Sequence, residues 1–436
     1  MEPPFDLPPL QEFQPEDVEE DDVVSEPIVQ SSSKNPESSI HPEWREKPNK
    51  RARTLLSQFG DGAGRKILQE VKEPEYAAID AEVRDGLWQI MDEMEIVAKK
   101  FFDFDFLGGS SLTAAFSSMT PETVKVIGCV ASGGPGGEEG WRQLFKNKHQ
   151  RHALVCAIIG NVIVEQVLQH VFFGGDMEDV EALTDIQRDH QHEDGFERNR
   201  LYAAHIRKVL GPKPRTIKLP HNFEDQTKVI VAAIYTHLKP ILSLNPAFAK
   251  HDTALSTAIY KIVAEAGILS ILMRLDPHTV YYLTPTFKED TFSSKYMDCF
   301  NKKQMEATHP RDRHAESWPA GTTDEEKRRA QGDEPLTRIT LMDGVTAYRR
   351  GGWETTDSTP QTPKYTDGNE NKGIRCRVLT HGWVFCRWGR ARKFDKGVPK
   401  DDPKVHGREW KAPGFVEFKQ VRGVPQPPPP PPAKRV

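Results

Sequence analysis

The sequence predicts a mainly α protein: a helical core, a few C-terminal β-strands arranged as hairpins, and disordered termini. Three observations carry this. Apolar residues recur at three- and four-residue steps from Tyr76 to Met273, in segments separated by glycine and proline. Beyond residue 336 the apolar period shortens to two. The 34 prolines and much of the charge gather toward the ends, where too little apolar surface remains to offset the entropy of ordering the chain.

Residues 1–70 read as a disordered arm. Acids cluster from Glu16 to Asp22, serines run from Ser31 to Ser33, and residues 1–47 carry a net charge of about −10. Within this arm Lys50, Arg51 and Arg53 fit the short basic pattern of a nuclear import signal, although a charged chain also forms such clusters by chance. The opening MEPPFDLPPL has neither the apolar stretch of a secretory signal nor the basic amphipathic character of a mitochondrial presequence. Five scattered cysteines and no C-x-x-C give no structural zinc pattern. The expectation is an intracellular protein, cytoplasmic or nuclear, with free thiols.

The helical core is expected over 71–306. A first helix follows Pro74, with Tyr76, Ile79, Val83, Leu87, Ile90, Met94, Val97 and Phe101 on one stripe. Thr120-Pro121-Glu122 starts a short helix through Ala131: a hydroxyl cap, a proline in the first turn, and an acid near the positive end of the dipole. The run Ser132 to Gly140 is glycine-rich but fits neither G-x-x-x-x-G-K-[ST] nor G-x-G-x-x-G, and its Glu138 and Glu139 would repel phosphate. It reads as a flexible linker. Trp141–Gly175 is the most apolar stretch and is expected to be the central helix. Its uninterrupted apolar run, Ala153–Val164, is only about 12 residues, short of the roughly 18 that a membrane span requires. Glu165 and His170 stand five apart, so they do not share a helical face.

Asp189-His190-Gln191-His192-Glu193-Asp194 has metal-like composition without a defined ligand geometry, and it reads as a solvated loop or helix end. His149 and His152 read as part of a polar helix start beside Arg151. Further helices are expected around Phe196–Leu210, stopped by Gly211-Pro212, and over Phe223–Leu238 behind Asn222, with Val229, Ile230, Ala233, Ile234 and Leu238 buried. Another runs through Leu255, Ile259, Ile262, Val263, Ala266, Leu269 and Met273 to Asp276-Pro277, and a weaker one covers Lys288–Met305. No catalytic residue, cofactor site or metal site follows from any recognised motif.

Residues 307–335 are a polar linker. The segment 336–420 is a small β region, either independent or packed on the core. Leu336–Met342 and Val345–Tyr348 flank Asp343-Gly344, and Ile374–Leu379 and Trp383–Trp388 flank His381-Gly382, each in the manner of a hairpin. Phe415–Phe418 reads as a last strand. Cys376 and Cys386 would face one another across the second hairpin. That hairpin carries Arg375, Arg377, Arg387 and Arg390 around Trp383 and Trp388. Single-stranded nucleic acid suits such a pattern, and a solvated face on a half-buried strand explains it equally well. Residues 371–436 carry a net charge of about +11. The tail 421–436 is proline-rich, and its run favours polyproline II. Pro429, Pro432 and Lys434 fit P-x-x-P-x-K, the ligand pattern of SH3 domains.

Two stretches, WRQLFKNKHQRHALVCAIIGNVIVEQVLQHVFFGG (Trp141–Gly175) and ITLMDGVTAYRRGG (Ile339–Gly352) with the later VLTHGWVFCRWG (Val378–Gly389), resemble an uncharacterised protein family frequent in filamentous ascomycete fungi. The resemblance covers about residues 75–420. It implies a fungal intracellular protein with a helical core and C-terminal β elements, and it carries no activity, cofactor or catalytic residue. The leading functional expectation is a non-enzymatic interaction or scaffold protein that uses its arms to dock protein partners. Nucleic-acid association through the basic hairpin and an enzyme with an unrecognised site are the alternatives.

Overall fold

The structure is a computed structural model that describes residues 76–106, 109–193, 195–211, 219–245, 252–308, 333–350, 374–389, 394–395, 398–399 and 415–425. All of them belong to the unit Leu55–Val436. The described residues form ten α-helices and eight short strands, a mainly α core with C-terminal β elements.

Helix α1 (Tyr76–Phe102) carries the expected stripe, and Val83, Leu87, Ile90, Met94, Val97 and Phe101 are all buried. Helix α2 (Gly109–Ser117) was not foreseen, because Gly108-Gly109 reads as a break. Helix α3 (Pro121–Val130) starts as its sequence specifies: the Thr120 hydroxyl accepts from Thr123 N at 3.1 Å. The stretch 141–175 divides. Helix α4 (Gly137–Lys146) ends at Asn147, whose side chain then caps α5 (Lys148–Ile163) by accepting from Gln150 N at 3.1 Å. A π-helical turn over Val164–Leu168 carries α5 onward. Every residue from Arg151 to Gly160 is buried, so α5 is the central helix.

Helix α6 (Met177–Asp189) was missed. Asp176 caps it, but its half-exposed face gave a weak period. Helices α7 (Gly195–Leu210), α8 (Phe223–Leu242) and α9 (Asp252–Leu275) lie where expected. Three details of α8 differ, one being that Ala233 is only partly buried. The Asn222 side chain makes no cap bond, and Val229 is 67% exposed, the buried face running instead through Ile230, Val231, Ile234, Leu238 and Ile241. The expected helix over Lys288–Met305 is absent. There the chain forms strand β2 (Met297–Cys299) and the short helix α10 (Lys302–Ala307), after strand β1 (Thr279–Thr284). The boundary at 306 therefore cuts through the β region, because β1 and β2 belong to its sheets. Segments Lys148–Leu168 and Thr253–Leu275 have the length and hydropathy to cross a membrane, but 83% and 67% of their windows are buried against the rest of the chain.

The β region corrects the hairpin expectation. Strands β3 (Glu334–Met342) and β4 (Gly344–Arg350) do not pair with each other, nor do β5 (Ile374–Thr380) and β6 (Gly382–Gly389). Instead β3 pairs with β6 and β4 with β5, both antiparallel, so the four strands form one long ribbon bent at its middle. β1 joins the free side of β4 antiparallel, and β2 joins β6 in parallel. A separate two-residue pair, β7 (Phe394–Asp395) with β8 (Val398–Pro399), follows.

Gly344 and Gly382 mark a corner rather than turns. Neither has the positive φ that a two-residue hairpin turn requires. A Cβ on Gly344 would lie 2.9 Å from Gly382 N and from Thr380 O, and one on Gly382 would lie 2.2 Å from Thr286 Cγ2. Glycine is needed there because the backbones approach closely.

The ribbon packs on the core. At the closest point a Cβ on Gly160 of α5 would sit 1.9 Å from the Leu341 carbonyl oxygen of β3. Gly160→Ala therefore tests the seam. Alanine gains about 1 kcal/mol in helix propensity. A backbone oxygen held by a sheet cannot step aside, so overpacking of about 3 kcal/mol outweighs that gain. Urea unfolding of the variant should show a net loss of stability.

Two titratable groups on this frame, one half-buried and one buried, respond to pH with opposite sign. Burial, aided by Glu165, raises Asp343 at the corner to about 6, against a bond from Thr286 N. Burial also lowers His152 on α5 to about 4. The raised carboxyl stabilises the fold below its unfolded value of 3.8, and that stability is lost as pH rises through about 6. The depressed imidazole contributes above its unfolded value of 6.5, and its stability is lost as pH falls toward 4. Asp343→Asn should thus gain on the native protein by about 2 kcal/mol between pH 4 and pH 7. Paired unfolding curves at the two pH values measure it.

Candidate functional site

The candidate site is a groove of α2, α3 and α4 that holds the segment Phe415–Pro425, directly before the proline-rich run. The expected strand over Phe415–Phe418 does not form. The chain makes a single 3₁₀ turn, Phe418–Gln420, closed by a reciprocal capping box of Glu417 and Gln420. Paired with no strand among the described residues, the segment is held by side chains. The Phe418 ring is buried among Phe116, Trp141 and Phe145, with centroids 5.5, 4.9 and 6.0 Å away. Val421 and Val424 are buried beside it. Trp141 Nε1 donates to Val416 O at 2.6 Å. Burying such an aromatic anchor is worth several kcal/mol.

Charges fix the groove's rim. Lys288 Nζ donates to Gly128 O and lies 3.7 Å from Glu417 Oε2. The Arg387 guanidinium pairs with Glu289 and lies 5.9 Å from the centre of the Phe415 ring. Arg338 on β3 donates to Gly140 O at 2.9 Å, and burial beside Arg387 lowers it to about 10.

The glycine-rich stretch Ser132–Gly140 forms the floor of this region and is not a flexible linker. Ser132 N donates to Arg338 O at 2.9 Å, and Ala131 bridges to Ile339. A Cβ on Gly133 would lie 2.5 Å from the Trp141 ring, and one on Gly140 would lie 1.9 Å from Gly133 O. Its glycines let a loop pack against an indole, a role that composition alone does not distinguish from flexibility.

A second constellation is buried where the ribbon meets the helices. Arg349 Nη2 of β4 lies 2.6 Å from Asp80 Oδ1 of α1 and 3.3 Å from Asp276 Oδ2 after α9. Arg377 Nη1 of β5 approaches Asp80 Oδ2 at 3.6 Å. Asp276 also accepts from the Thr279 hydroxyl, and from His278 N at 2.9 Å. Asn199 Nδ2 closes the loop on Asp276 O and Thr279 O at 2.8 and 2.9 Å. Burial and the two aspartates push the Tyr281 hydroxyl well above its usual value. With Asp80, Asp276 and Arg349 almost inaccessible to solvent, this network joins elements rather than receiving a substrate.

Among the described residues, the basic strands β5 and β6 present no open stacking face. Arg377 and Arg387 are engaged with Asp80 and Glu289. Trp383 is buried against Phe300 at 5.1 Å, and Trp388 Nε1 donates to Met305 O at 3.1 Å. The side chains of Arg375 and Arg390 lie outside the described residues, as do the import-like Lys50, Arg51 and Arg53 and the tail residues Pro429, Pro432 and Lys434. Cys376 does not face Cys386. It is exposed opposite Tyr348, while Cys386 is buried opposite Thr337.

The histidine clusters separate. His190 lies 3.0 Å from Glu193, and His205 pairs with Asp179 at 3.0 Å. Glu165 accepts from Asn161 at 3.0 Å, and His170 Nδ1 accepts from Phe172 N at 3.3 Å. Among the described residues no three His, Cys, Asp or Glu side chains converge as a metal site. His152, expected at a polar helix start, is buried.

Sequence reading missed Arg151, which is wholly buried. Its guanidinium donates to Phe102 O at 3.0 Å, Phe145 O at 2.7 Å, Lys146 O at 3.2 Å and Phe104 O, so it closes the C-terminal ends of both α1 and α4. An arginine and a histidine leading directly into eight apolar or small residues, Ala153–Gly160, were the available signal. No protein-family model, curated protein or solved structure matches this chain.

Proposed function

We propose that this chain is an intracellular, non-enzymatic interaction protein that docks protein partners through its terminal arms, above all through the proline-rich tail. One observation carries the reading. The buried Phe418, Val421 and Val424 bind the segment to the core immediately ahead of Pro425 and the six prolines Pro427–Pro432. A polyproline II ligand is stiff and loses little entropy on binding. Anchoring its base to a folded core fixes where that ligand starts, so partners recruited to Pro429, Pro432 and Lys434 are held next to the core. The acidic segment 1–70 supplies a second docking arm of opposite charge to the basic C-terminal region. Membership of the filamentous-ascomycete family belongs to the same proposal, on the motifs within Trp141–Gly175, Ile339–Gly352 and Val378–Gly389.

Affinity capture of the tagged chain from its native cells tests it, with nuclease treatment and with two deletions, residues 1–70 and residues 426–436. The second deletion leaves the anchor in place. Loss of reproducible, nuclease-resistant partners on either deletion is expected. A partner set unchanged by both deletions would overturn the reading, and partners lost only to nuclease would shift it to nucleic acid.

A further inference from the structure

Two of the five cysteines meet where β2 joins the ribbon. Parallel pairing places Cys299 beside Val384, and Phe300 N continues the ladder to Val384 O at 2.8 Å. Residues two apart on a strand share a face, which puts Cys386 next along that face from Val384. Asn301 holds both: its Oδ1 accepts from Cys386 N at 2.8 Å and from the Cys299 thiol at 3.3 Å, and its Nδ2 donates to Cys386 O at 3.0 Å. Both cysteines pack in one small cluster with Met297, Met305, Val384 and Trp388. Cys386 is enclosed, whereas Cys299 is half-buried.

The two sulfurs are also unlike in acidity. A hydrogen bond from the Cys386 thiol is the main cause holding the Cys299 thiol below its usual range, against burial. The same bond, with burial, pushes Cys386 far up. A half-buried acidic thiol beside an enclosed neutral one is the pairing of an attacking and a resolving cysteine.

We propose that Cys299 and Cys386 are a peroxide-responsive dithiol that closes to a disulfide tying β2 to β6. The Cys299 thiolate attacks one oxygen of hydrogen peroxide. An S–O bond forms, the O–O bond breaks, and the departing hydroxide takes a proton to leave as water. The Cys386 sulfur then attacks the Cys299 sulfenic acid. The S–S bond forms, the S–O bond breaks, and hydroxide leaves with the Cys386 proton as a second water. The sum is two thiols and one peroxide to one disulfide and two waters, and cellular thiols reverse it by exchange. The bridge closes a long loop that includes residues 309–332 and 351–373, and so restricts the unfolded chain.

The test uses the reduced full-length chain, treated with hydrogen peroxide, alkylated, and mapped by mass spectrometry without reduction. A cross-linked Cys299–Cys386 peptide pair is expected, with the thermal midpoint raised by about 5 °C or more and restored by dithiothreitol. Cys299→Ser should abolish both changes. Oxidation of Cys299 to sulfinic acid with Cys386 still free would overturn the proposal, as would bridging through the exposed Cys129 or Cys376 at the same rate. Cys386→Ser risks misfolding in its buried cluster, so the decision rests on mapping the native chain.

Discussion

Replacing Arg349 with leucine is expected to lower the free energy of unfolding by about 3–5 kcal/mol at neutral pH, the usual cost of removing one partner from a buried ion network. The guanidinium lies 2.6 Å from Asp80 and 3.3 Å from Asp276, with all three side chains almost fully enclosed. Leucine leaves both carboxylates dehydrated. Arg377, farther from Asp80 at 3.6 Å and half-exposed, cannot replace it. Because the network ties α1 and the end of α9 to β4, the loss should be felt across the boundary between helices and ribbon. Adding Asp80→Asn to Arg349→Leu removes one of the stranded charges and should recover part of the stability. A double-mutant cycle in urea reads both effects, and additivity within about 0.5 kcal/mol would show that the contact is not coupled.

Arg151→Leu is expected to cost about as much, roughly 3–5 kcal/mol, by a different route. Here the carboxylates of Asp103 and Asp105 favour the charge only through space, and among the described residues none forms an ion pair with the guanidinium. It serves four carbonyls at the ends of α1 and α4, and the Phe104 ring lies 4.0 Å from it. Helix ends buried without partners lose the full desolvation cost of each carbonyl. Arg151→Lys should recover little, because a single ammonium cannot span the fork from Phe102 to Phe145. Urea midpoints of the two variants should therefore lie close together and well below that of the native chain.

Much of the fold was legible because amphipathic helices with strong punctuation declare themselves. Thr120-Pro121-Glu122 and the stripe from Val83 to Phe101 needed no tertiary information. What escaped were features decided by contacts remote in sequence. Asp343-Gly344 and His381-Gly382 carry a hairpin composition, yet Gly344 and Gly382 serve a close crossing of two strands, which only the partner's position reveals. Ser132–Gly140 looked flexible because its packing against Trp141 and Arg338 is not written locally. Phe415–Phe418 alternated like a strand, but among the described residues no sheet edge takes it and the aromatic cluster takes Phe418 instead. In the candidate site, the proline run was plain from composition, whereas its anchor depended on Phe116, Trp141 and Phe145 assembling from two helices.

The most direct test of the central claim is a calorimetric titration of the purified full-length chain with an SH3 domain that recognises P-x-x-P-x-K. The account predicts saturable one-to-one binding, abolished by the joint substitution Pro429→Ala and Pro432→Ala and weakened by Lys434→Ala. Binding unchanged by these substitutions, or absent from the native chain, would contradict it.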